Sequence, residues 1–372
     1  AVISVLKSDF LTQGPEIKNF EDSFSKFVDS HFSVAVNSAT SALHISCLAL
    51  GLTKGDSLWT SPNSFVASSN CALLCGAEVD FVDIELGSYN MCIKALKDKL
   101  VKARKENKIP KIIIPVHFSG YPCDMEEIKN LSEDFGFKII EDASHAVGSS
   151  YKGHAIGDCS FSDLCVFSFH PVKIITSAEG GMVTSQDEEL SENLSSLRTH
   201  GITRDDKKFI NKSHGSWYFE QTQLGLNYRM TDIHAALGNS QLKKTESFIA
   251  KRHFWHNKYQ ERISHLNIIT PLSPVNGIVF SSTHLYPVRL ETRKIGKDKN
   301  VIFDELRHNG VGVGCHYIPI HLHPFYQSLG FKKGMFPNCE QYYEEAISLP
   351  IFSSLDDKAH SFICNKLEEI IT

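Results

Sequence analysis

Short apolar segments alternate with helical patterns from about residue 33 to residue 185, and this alternation limits the possible folds more than any other feature of the chain. Two of the apolar segments, Lys111–Val116 and Phe137–Glu141, are nearly continuous, which is typical of parallel strands that are buried on both faces. The segment between them, Asp124–Phe135, has a helical pattern and completes a βαβ unit. The sequence therefore predicts an α/β fold with a mostly parallel central sheet and crossover helices.

The pattern changes in the second half of the chain. The segment Thr231–Ser264 has the pattern of one long helix, with a helix cap at its start. Beyond it, strands are predicted over His284–Leu290 and Val311–Tyr317, with helices between and after them. We therefore expect a large α/β domain over residues 1–265 and a small α+β domain over residues 266–372.

The charge and the cysteines exclude several classes of protein. The net charge is −5 at pH 7 without a basic cluster, so nucleic acid is not an expected partner. Polar residues interrupt every apolar stretch well before the ~18 residues of a membrane span. Residues 1–10 have no signal-peptide pattern, and the ten cysteines form no CxxC pair, so we expect a cytoplasmic protein with reduced cysteines. The helical pattern at the start leaves open whether a natural segment precedes Ala1.

Lys173 lies between two predicted strands. The apolar or small residues Leu164–Ser168 precede it, and Gly180-Gly181 lead into a second strand at Met182–Thr184. Burying an ammonium group is costly unless the group is paired or neutralised, so the pKa of such a lysine is expected to be depressed. A lysine with a depressed pKa is a nucleophile that can form a Schiff base with a carbonyl group.

Polar residues follow other predicted strands at the edge where ligands bind in α/β sheets. Asn37 to Ser41 open a helix, so its N–H groups and the hydroxyls of Thr40 and Ser41 could cradle a phosphate, and a simple helix cap is the alternative. Asp142 ends another strand, where it could hold a protonated ring nitrogen or only cap a turn. His145 could then contact a neighbouring oxygen of the same ring.

Two further residues complete the set. Phe65 could stack on an aromatic ring or simply pack in the core, and Ser168 could contact a phosphate or simply be a small strand residue. A phosphate cradle, a stacking ring, a carboxylate for a pyridinium nitrogen and a reactive lysine are together what pyridoxal phosphate requires. The combination predicts a pyridoxal phosphate protein, although each residue alone has an ordinary structural explanation.

Five motifs, in order along the chain, resemble the DegT/DnrJ/StrS family of sugar-nucleotide aminotransferases. The resemblance extends from Leu11 to Pro350, which is nearly the whole chain. The motifs are NSATSALH at Asn37–His44, EDASHA at Glu141–Ala146, SFHPVK at Ser168–Lys173, NYRMTD at Asn227–Asp232 and HYIPIH at His316–His321.

The resemblance implies the type I fold of pyridoxal phosphate-dependent aminotransferases and a homodimer with two active sites at the subunit interface. By this resemblance Lys173 binds the cofactor, Asp142 holds its pyridine nitrogen, and Phe65 and His145 lie beside its ring. The remaining implied contacts are Thr40, Ser41, Ser168 and, from the other subunit, Asn227 to the phosphate, and His316, Tyr317 and His321 to the sugar nucleotide.

The resemblance also bears on the reaction. One branch of the family has histidine in place of the lysine and is a dehydratase, so Lys173 implies amination. Three segments, Leu11–Pro15, Ser168–Lys173 and His284–Pro287, look most like the branch that uses L-glutamate to aminate C4 of a UDP-linked 4-keto-6-deoxy-N-acetylhexosamine in pseudaminic acid synthesis. The alternatives are a C4 aminotransferase of the GDP-perosamine or bacillosamine type and a regulatory protein that binds the cofactor without turnover. A metal site in His316–His323 is not favoured, because no acidic partner lies nearby.

Overall fold

The computed structural model describes residues 1–372 of the chain. Its strands are β1 (Phe32–Val36), β2 (Ser57–Thr60), β3 (Glu78–Phe81), β4 (Ile112–Ile114), β5 (Lys138–Asp142), β6 (Ser150–Tyr151), β7 (His154–Ala155), β8 (Leu164–Ser168), β9 (Gly181–Ser185), β10 (Ile202–Thr203), β11 (Glu220–Gln221), β12 (Ile268–Ile269), β13 (Val279–Phe280), β14 (Tyr286–Leu290) and β15 (Ala346–Leu349). Its α-helices are α1 (Val2–Leu6), α2 (Pro15–Val28), α3 (Ala39–Ala49), α4 (Ala67–Leu74), α5 (Ile93–Glu106), α6 (Met125–Phe135), α7 (Glu188–Leu197), α8 (Asp232–Leu242), α9 (Thr245–Ile263), α10 (Thr292–Ile295), α11 (Lys299–His308), α12 (Pro324–Ser328), α13 (Pro337–Glu345) and α14 (Asp357–Ile371).

Seven strands form the central sheet, in the order β1-β9-β8-β5-β4-β2-β3. The neighbours from β8 to β3 are parallel, and β9 alone runs in the opposite direction, between β8 and β1. Every residue of β4 and β8 is buried, because helices cover both faces of the sheet, and this explains why their sequences are continuously apolar. The predicted α/β fold with a mostly parallel sheet is confirmed.

Two hydrophobic clusters hold the helices against the sheet. On one face α2 contributes Phe20 and Phe24, whose rings pack against Phe167 in β8 and Phe169 just after it. On the other face α3, α4 and α7 pack against side chains of alternate strand residues. The carboxyl ends of the parallel strands remain uncovered at one edge, where the polar residues identified in the sequence lie.

A smaller sheet of β12, β14 and β15, all antiparallel, is built by the end of the chain. Its core also contains Trp255, Tyr259 and Ile263 from the second half of α9, whereas Ile249 from the first half of α9 belongs to the core of the large sheet. Helix α9 therefore links the two cores. The strand β13 pairs with β6 in a separate three-stranded sheet with β7, so part of the predicted small domain pairs with strands of the predicted large domain.

Two predicted elements differ in the structure. The long helix is divided into α8 and α9 at residues 243–244, and next to the break the Thr245 hydroxyl donates to the carbonyl of Leu242 at 2.7 Å. The strand predicted over Val311–Tyr317 does not form, and only Gly314 makes a bridge, to Ser348. None of the helices is both long enough and apolar enough to cross a membrane.

Candidate active site

The carboxyl ends of β1, β5 and β8 surround a cavity of about 360 Å³. Asp142 ends β5, Ser168 ends β8, and the turn after β1 leads into the first residues of α3. Lys173 reaches the same cavity from the loop between β8 and β9. Residues from four separate parts of the sequence are brought together because parallel strands place their carboxyl ends at one edge of the sheet.

Asp142 is almost completely buried, and two groups of the protein orient its carboxylate. The hydroxyl of Ser68 donates to Oδ2 at 2.7 Å, and the backbone N–H of Ser144 donates to Oδ1 at 3.1 Å. Ser64 lies 2.7 Å from Ser68, oxygen to oxygen, and extends the chain of hydroxyls. A buried carboxylate held in this way is a fixed acceptor for a positively charged donor in the cavity.

Ser68 is not among the site residues predicted from the sequence. Its contact with Asp142 joins residues 74 positions apart, and it depends on α4 lying beside the end of β5. No local pattern identifies this contact, because Ser64 precedes α4 and Ser68 lies in its first turn.

The first turn of α3 forms the opposite wall of the cavity. Ser38 is the N-cap and accepts from the N–H of Ser41 at 3.1 Å. Ala39 and Thr40 line the cavity, and N–H groups in the first turn of a helix have no partner within the helix. Ser41 does not line the cavity, because its hydroxyl is buried and donates to Asn37 Oδ1 at 2.6 Å.

The strand β9 approaches this helix start very closely. A Cβ atom on Gly181 would lie 2.6 Å from the carbonyl carbon of Ser38 and 2.7 Å from the nitrogen of Ala39. Only glycine leaves room for the helix start at this position. The free N–H groups and the positive end of the helix dipole together favour an anion such as a phosphate.

Lys173 is partly buried beside the cavity. Burial lowers its pKa to about 8, and the negative charge of Asp142 only partly opposes this effect. The amine is therefore unprotonated in a larger fraction of molecules near neutral pH than an ordinary lysine is. A lysine with a lowered pKa, as predicted from the sequence, is a nucleophile that can attack a carbonyl group.

His145 and Tyr317 form a hydrogen-bonded pair next to Lys173. The Tyr317 hydroxyl lies 3.0 Å from His145 Nε2, while the N–H of Ser119 donates to Nδ1 at 3.3 Å. Burial, followed by the positive charge of Lys173, lowers the pKa of His145 well below its ordinary value. The ring is therefore neutral, with the proton on Nε2 and directed to the tyrosine oxygen.

The remaining predicted residues are placed as follows. Phe65 lines the cavity with 60% of its surface exposed, so it is free to contact a ligand rather than packed in the core. His316 lines the same cavity, and its Nδ1 lies 2.9 Å from the hydroxyl of Ser348. Burial, together with the charge of Lys173, lowers the pKa of His316 to about 4.

Besides Ser41, two predicted residues lie away from the cavity of their own chain. His321 is fully buried and its Nε2 lies 2.9 Å from Glu340, so it stabilises the fold around α13. Asn227 is exposed on a loop that bridges to Thr199. Beyond the pairing of His321 with Glu340, the structure brings together no group of three histidine, cysteine or acidic side chains suited to hold a metal ion.

The residues that are present fit pyridoxal phosphate. Asp142 offers a fixed carboxylate for a protonated ring nitrogen, the start of α3 offers N–H groups for a phosphate, and Phe65 offers an exposed aromatic face. Lys173 adds an amine with a lowered pKa at the same cavity. The carboxylate, the N–H groups, the aromatic face and the amine match the ring nitrogen, the phosphate, the ring and the carbonyl group of this cofactor, respectively.

Comparisons with known proteins agree with this chemistry. The model of the DegT/DnrJ/EryC1/StrS aminotransferase family matches residues 1–368. The UDP-4-amino-4,6-dideoxy-N-acetyl-beta-L-altrosamine transaminase of Campylobacter jejuni (serotype O:23/36) is 36% identical over 371 residues, which cover 100% of this chain and 94% of that protein.

Two solved structures are similar over nearly their whole length. PseC of Helicobacter pylori, an aminotransferase of pseudaminic acid biosynthesis, has a TM-score of 0.89 and 31% identity, and the match covers 100% of this chain and 95% of that one. The Streptococcus pneumoniae protein Spr1654, assigned as a sugar aminotransferase and solved in a PMP form, has a TM-score of 0.88 and 30% identity over 99% of this chain and 95% of that one.

The family match covers nearly the whole chain, and the fold is the one seen in sugar aminotransferases that use pyridoxal phosphate. The cofactor is therefore pyridoxal phosphate, and the reaction is the transfer of an amino group. This chain belongs to the DegT/DnrJ/EryC1/StrS aminotransferase family and is a pyridoxal phosphate-dependent sugar aminotransferase.

Proposed function

We propose that this enzyme transfers the amino group of L-glutamate to the C4 ketone of a nucleotide-linked 4-keto-6-deoxy sugar. The single observation that carries the proposal is the position of Lys173, with its pKa lowered to about 8, at the same cavity as the oriented carboxylate of Asp142. That pair combines the amine that binds a carbonyl with the acceptor that holds a ring nitrogen in its protonated form.

The cofactor is assigned to named residues of the cavity. Lys173 would bind its carbonyl carbon, Asp142 would accept from its ring N–H, and Phe65 and His145 would contact its ring. Thr40, with the free N–H groups at the start of α3, would bind the phosphate together with Ser168. Bound pyridoxal phosphate supplies the electron sink that allows a proton to leave the Cα of an amino acid.

Lys173 is the base of the reaction as well as the attachment point. Once its amine is released by the incoming amino acid, Nζ can remove the proton from Cα of glutamate. In the return half of the reaction the same nitrogen delivers a proton to C4 of the sugar. A pKa of about 8 suits both directions, because a base and acid that works near neutral pH needs a pKa close to that pH.

The sugar is assigned from relatives. The Campylobacter jejuni protein is named as a transaminase of a UDP-linked 4-amino-4,6-dideoxy-N-acetyl-altrosamine, and the Helicobacter pylori protein acts in pseudaminic acid biosynthesis. These names support a UDP-linked 4-keto-6-deoxy-N-acetylhexosamine as the acceptor. His316 and Tyr317 line the cavity on the side of the small domain and are the proposed contacts to that sugar.

We also propose that the active enzyme is a homodimer. Several large apolar side chains of the segment between β10 and α8 are exposed, namely Ile210 at 79%, Trp217 at 72% and Leu224 at 84%. Asn227 is exposed close to them in the sequence, and it would reach the phosphate of the partner's cofactor. A second copy of the chain would cover this apolar surface and complete each site.

The acceptor is tested with the enzyme loaded with the amine form of the cofactor. Candidate UDP- and GDP-linked 4-keto-6-deoxy sugars are added one at a time, and the return of the absorbance of the lysine-bound cofactor is followed. We expect a fast return with the UDP-linked N-acetylhexosamine and a slow return with GDP sugars. A fast return only with a GDP sugar would contradict the assigned acceptor, and no return with any sugar would favour a regulatory protein.

A further inference from the structure

A second and larger cavity, of about 720 Å³, lies between α9, the small sheet and α14. Lys173 and His316 line this cavity as well as the cofactor cavity, so the two spaces meet at the reactive amine. Its walls are mostly apolar, and no aspartate or glutamate lines it. The only permanently charged group among its walls, apart from Lys173, is the guanidinium of Arg252.

Arg252 is a buried cation without a protein anion. It is 5% exposed, and its guanidinium donates from Nη1 to the backbone carbonyls of Thr283, His284 and Ile351, at 3.3, 2.9 and 3.0 Å. Its Nε is buried and has no hydrogen-bond partner. Burial lowers the pKa of Arg252 to about 10, so the group is still protonated at neutral pH.

Three other arginines of the chain, in contrast to Arg252, have an acidic partner. Arg198, Arg262 and Arg289 each pair with a glutamate, at separations of 3.2 Å or less. A charged group that is removed from water is costly unless an opposite charge compensates for it. The guanidinium of Arg252 donates only to neutral carbonyl oxygens and lies beside an acid-free cavity, so its positive charge calls for an anion that comes from outside the chain.

We propose that Arg252 binds a carboxylate of the amino donor, a dicarboxylic amino acid, in this second cavity while the amino end of the donor reaches Lys173. This rests on the proposed function, since it specifies how the donor is held. The planar guanidinium matches a carboxylate, and the apolar walls match the methylene groups of a short acidic side chain. A nucleotide diphosphate carries more charge, and one guanidinium among apolar walls does not suit it.

The test uses the holoenzyme and two ligands, one with two carboxylate groups and one with a diphosphate group. Binding of glutarate, which has two carboxylates and no amino group, and of UDP is measured by calorimetry for wild type and for Arg252→Met. We expect the Kd of glutarate to rise roughly 30-fold or more, as expected when one partner of a buried charge pair is removed. The Kd of UDP should change less than about twofold, which corresponds to the small free-energy change expected for a substitution that does not touch the ligand.

The kinetic measurement follows the single-turnover reaction of each holoenzyme with L-glutamate. For Arg252→Met we expect the apparent Kd of glutamate to rise with a smaller change in the limiting rate, because the donor is held less tightly while Lys173 is unchanged. An unchanged glutarate and glutamate affinity, or a loss of UDP affinity instead, would overturn the proposal.

Two variants keep the result interpretable. Arg289→Met removes another buried arginine, one that pairs with Glu345 and does not line the cavity, and it should leave glutarate binding unchanged. Arg252→Lys keeps the charge but loses the planar fork, so it serves if Arg252→Met does not fold, and glutarate binding equal to wild type in that variant counts against the proposal. If no keto sugar is aminated while glutarate still binds through Arg252, the proposed function is wrong, and the assignment of Arg252 as a carboxylate-binding residue still holds.

Discussion

At the scale of single residues, the site depends on groups that hold reactive side chains in one state. Ser68 and Ser144 fix the carboxylate of Asp142, Ser119 fixes the proton of His145 on Nε2, and burial lowers the pKa of Lys173 to about 8. Ser68 and Ser119 are distant in the sequence from the residues that they hold, whereas Ser144 lies two residues from Asp142. The reactive residues are therefore preorganised by the fold before a ligand binds.

The lowered pKa of Lys173 predicts how the apoenzyme takes up pyridoxal phosphate. Only the unprotonated amine attacks the carbonyl, so the rate of attachment should rise with pH and level off above a midpoint near pH 8. Stopped-flow absorbance of apoenzyme mixed with cofactor over a range of pH measures this midpoint. A midpoint at the ordinary lysine value, above about pH 10, would show that burial does not control this amine.

Ser68→Ala is expected to weaken retention of the cofactor. Removing a hydrogen bond to a buried charged group costs about 1–3 kcal/mol, so the Kd of pyridoxal phosphate should rise roughly tenfold, measured by equilibrium dialysis. Ser69→Ala is the matched control, because Ser69 is equally buried but bonds to Tyr326 and does not line the cavity. Equal cofactor affinity in the two variants would mean that Ser68 does not orient Asp142.

At the scale of secondary structure, the sheet decides which parts of the sequence meet. Strands β1, β5 and β8 end at one edge because they share a direction, and the antiparallel β9 places Gly181 against the start of α3. The loop between β8 and β9 carries Lys173 over that edge. The order of strands, more than any single motif, therefore builds the cavity.

Gly181→Ala tests the close contact between β9 and α3. The added Cβ would meet the backbone of Ser38 and Ala39, which cannot move as a side chain can, so the helix start should shift. We expect a loss of about 1–3 kcal/mol of stability in chemical denaturation, as overpacking produces, together with weaker binding of the cofactor's phosphate. Gly87→Ala is the control, because its Cβ would have open space, and equal stability of the two variants would contradict the tight contact.

Part of this organisation could be predicted from the sequence. Lys173, Asp142 and the start of α3 were identified because each lies at or shortly after the end of a strand with a clear apolar pattern. Ser68 and Arg252 were not, because their importance depends on long-range contacts that local patterns do not contain. The division of the long helix at residues 243–244 was missed for a similar reason, since a single side-chain hydrogen bond at Thr245 accompanies it.

At the scale of the whole molecule, two cores are joined by α9, and the two cavities meet at Lys173 near that junction. One cavity fits the cofactor, and the other is proposed to hold the amino donor. The exposed apolar side chains around Trp217 and Leu224 and the exposed Asn227 support a second copy of the chain as a further wall. The proposed active unit is therefore larger than a single chain.

The shared site predicts that two inactive variants restore activity when their subunits are mixed. Lys173→Ala lacks the amine, and Asn227→Asp places a negative charge beside the partner's phosphate, so each homodimer should be impaired. After random subunit exchange, half of the dimers contain one intact site, so roughly a quarter of wild-type activity should return. No recovery after exchange, although mixed dimers are detected by native mass spectrometry, would mean that Asn227 does not act across the interface.

The most direct test of amino-group transfer from glutamate to the sugar follows the nitrogen atom itself. The holoenzyme is incubated with L-glutamate that carries a heavy-nitrogen label in its amino group and with the UDP-linked 4-keto-6-deoxy-N-acetylhexosamine, and the sugar product is analysed by mass spectrometry and NMR. We predict that the labelled nitrogen is bonded to C4 of the sugar with wild type and that no labelled sugar forms with Lys173→Ala. Labelled sugar formed at the wild-type rate by Lys173→Ala would contradict the role of Lys173, and no label at C4 with wild type would contradict amino transfer from glutamate to that carbon.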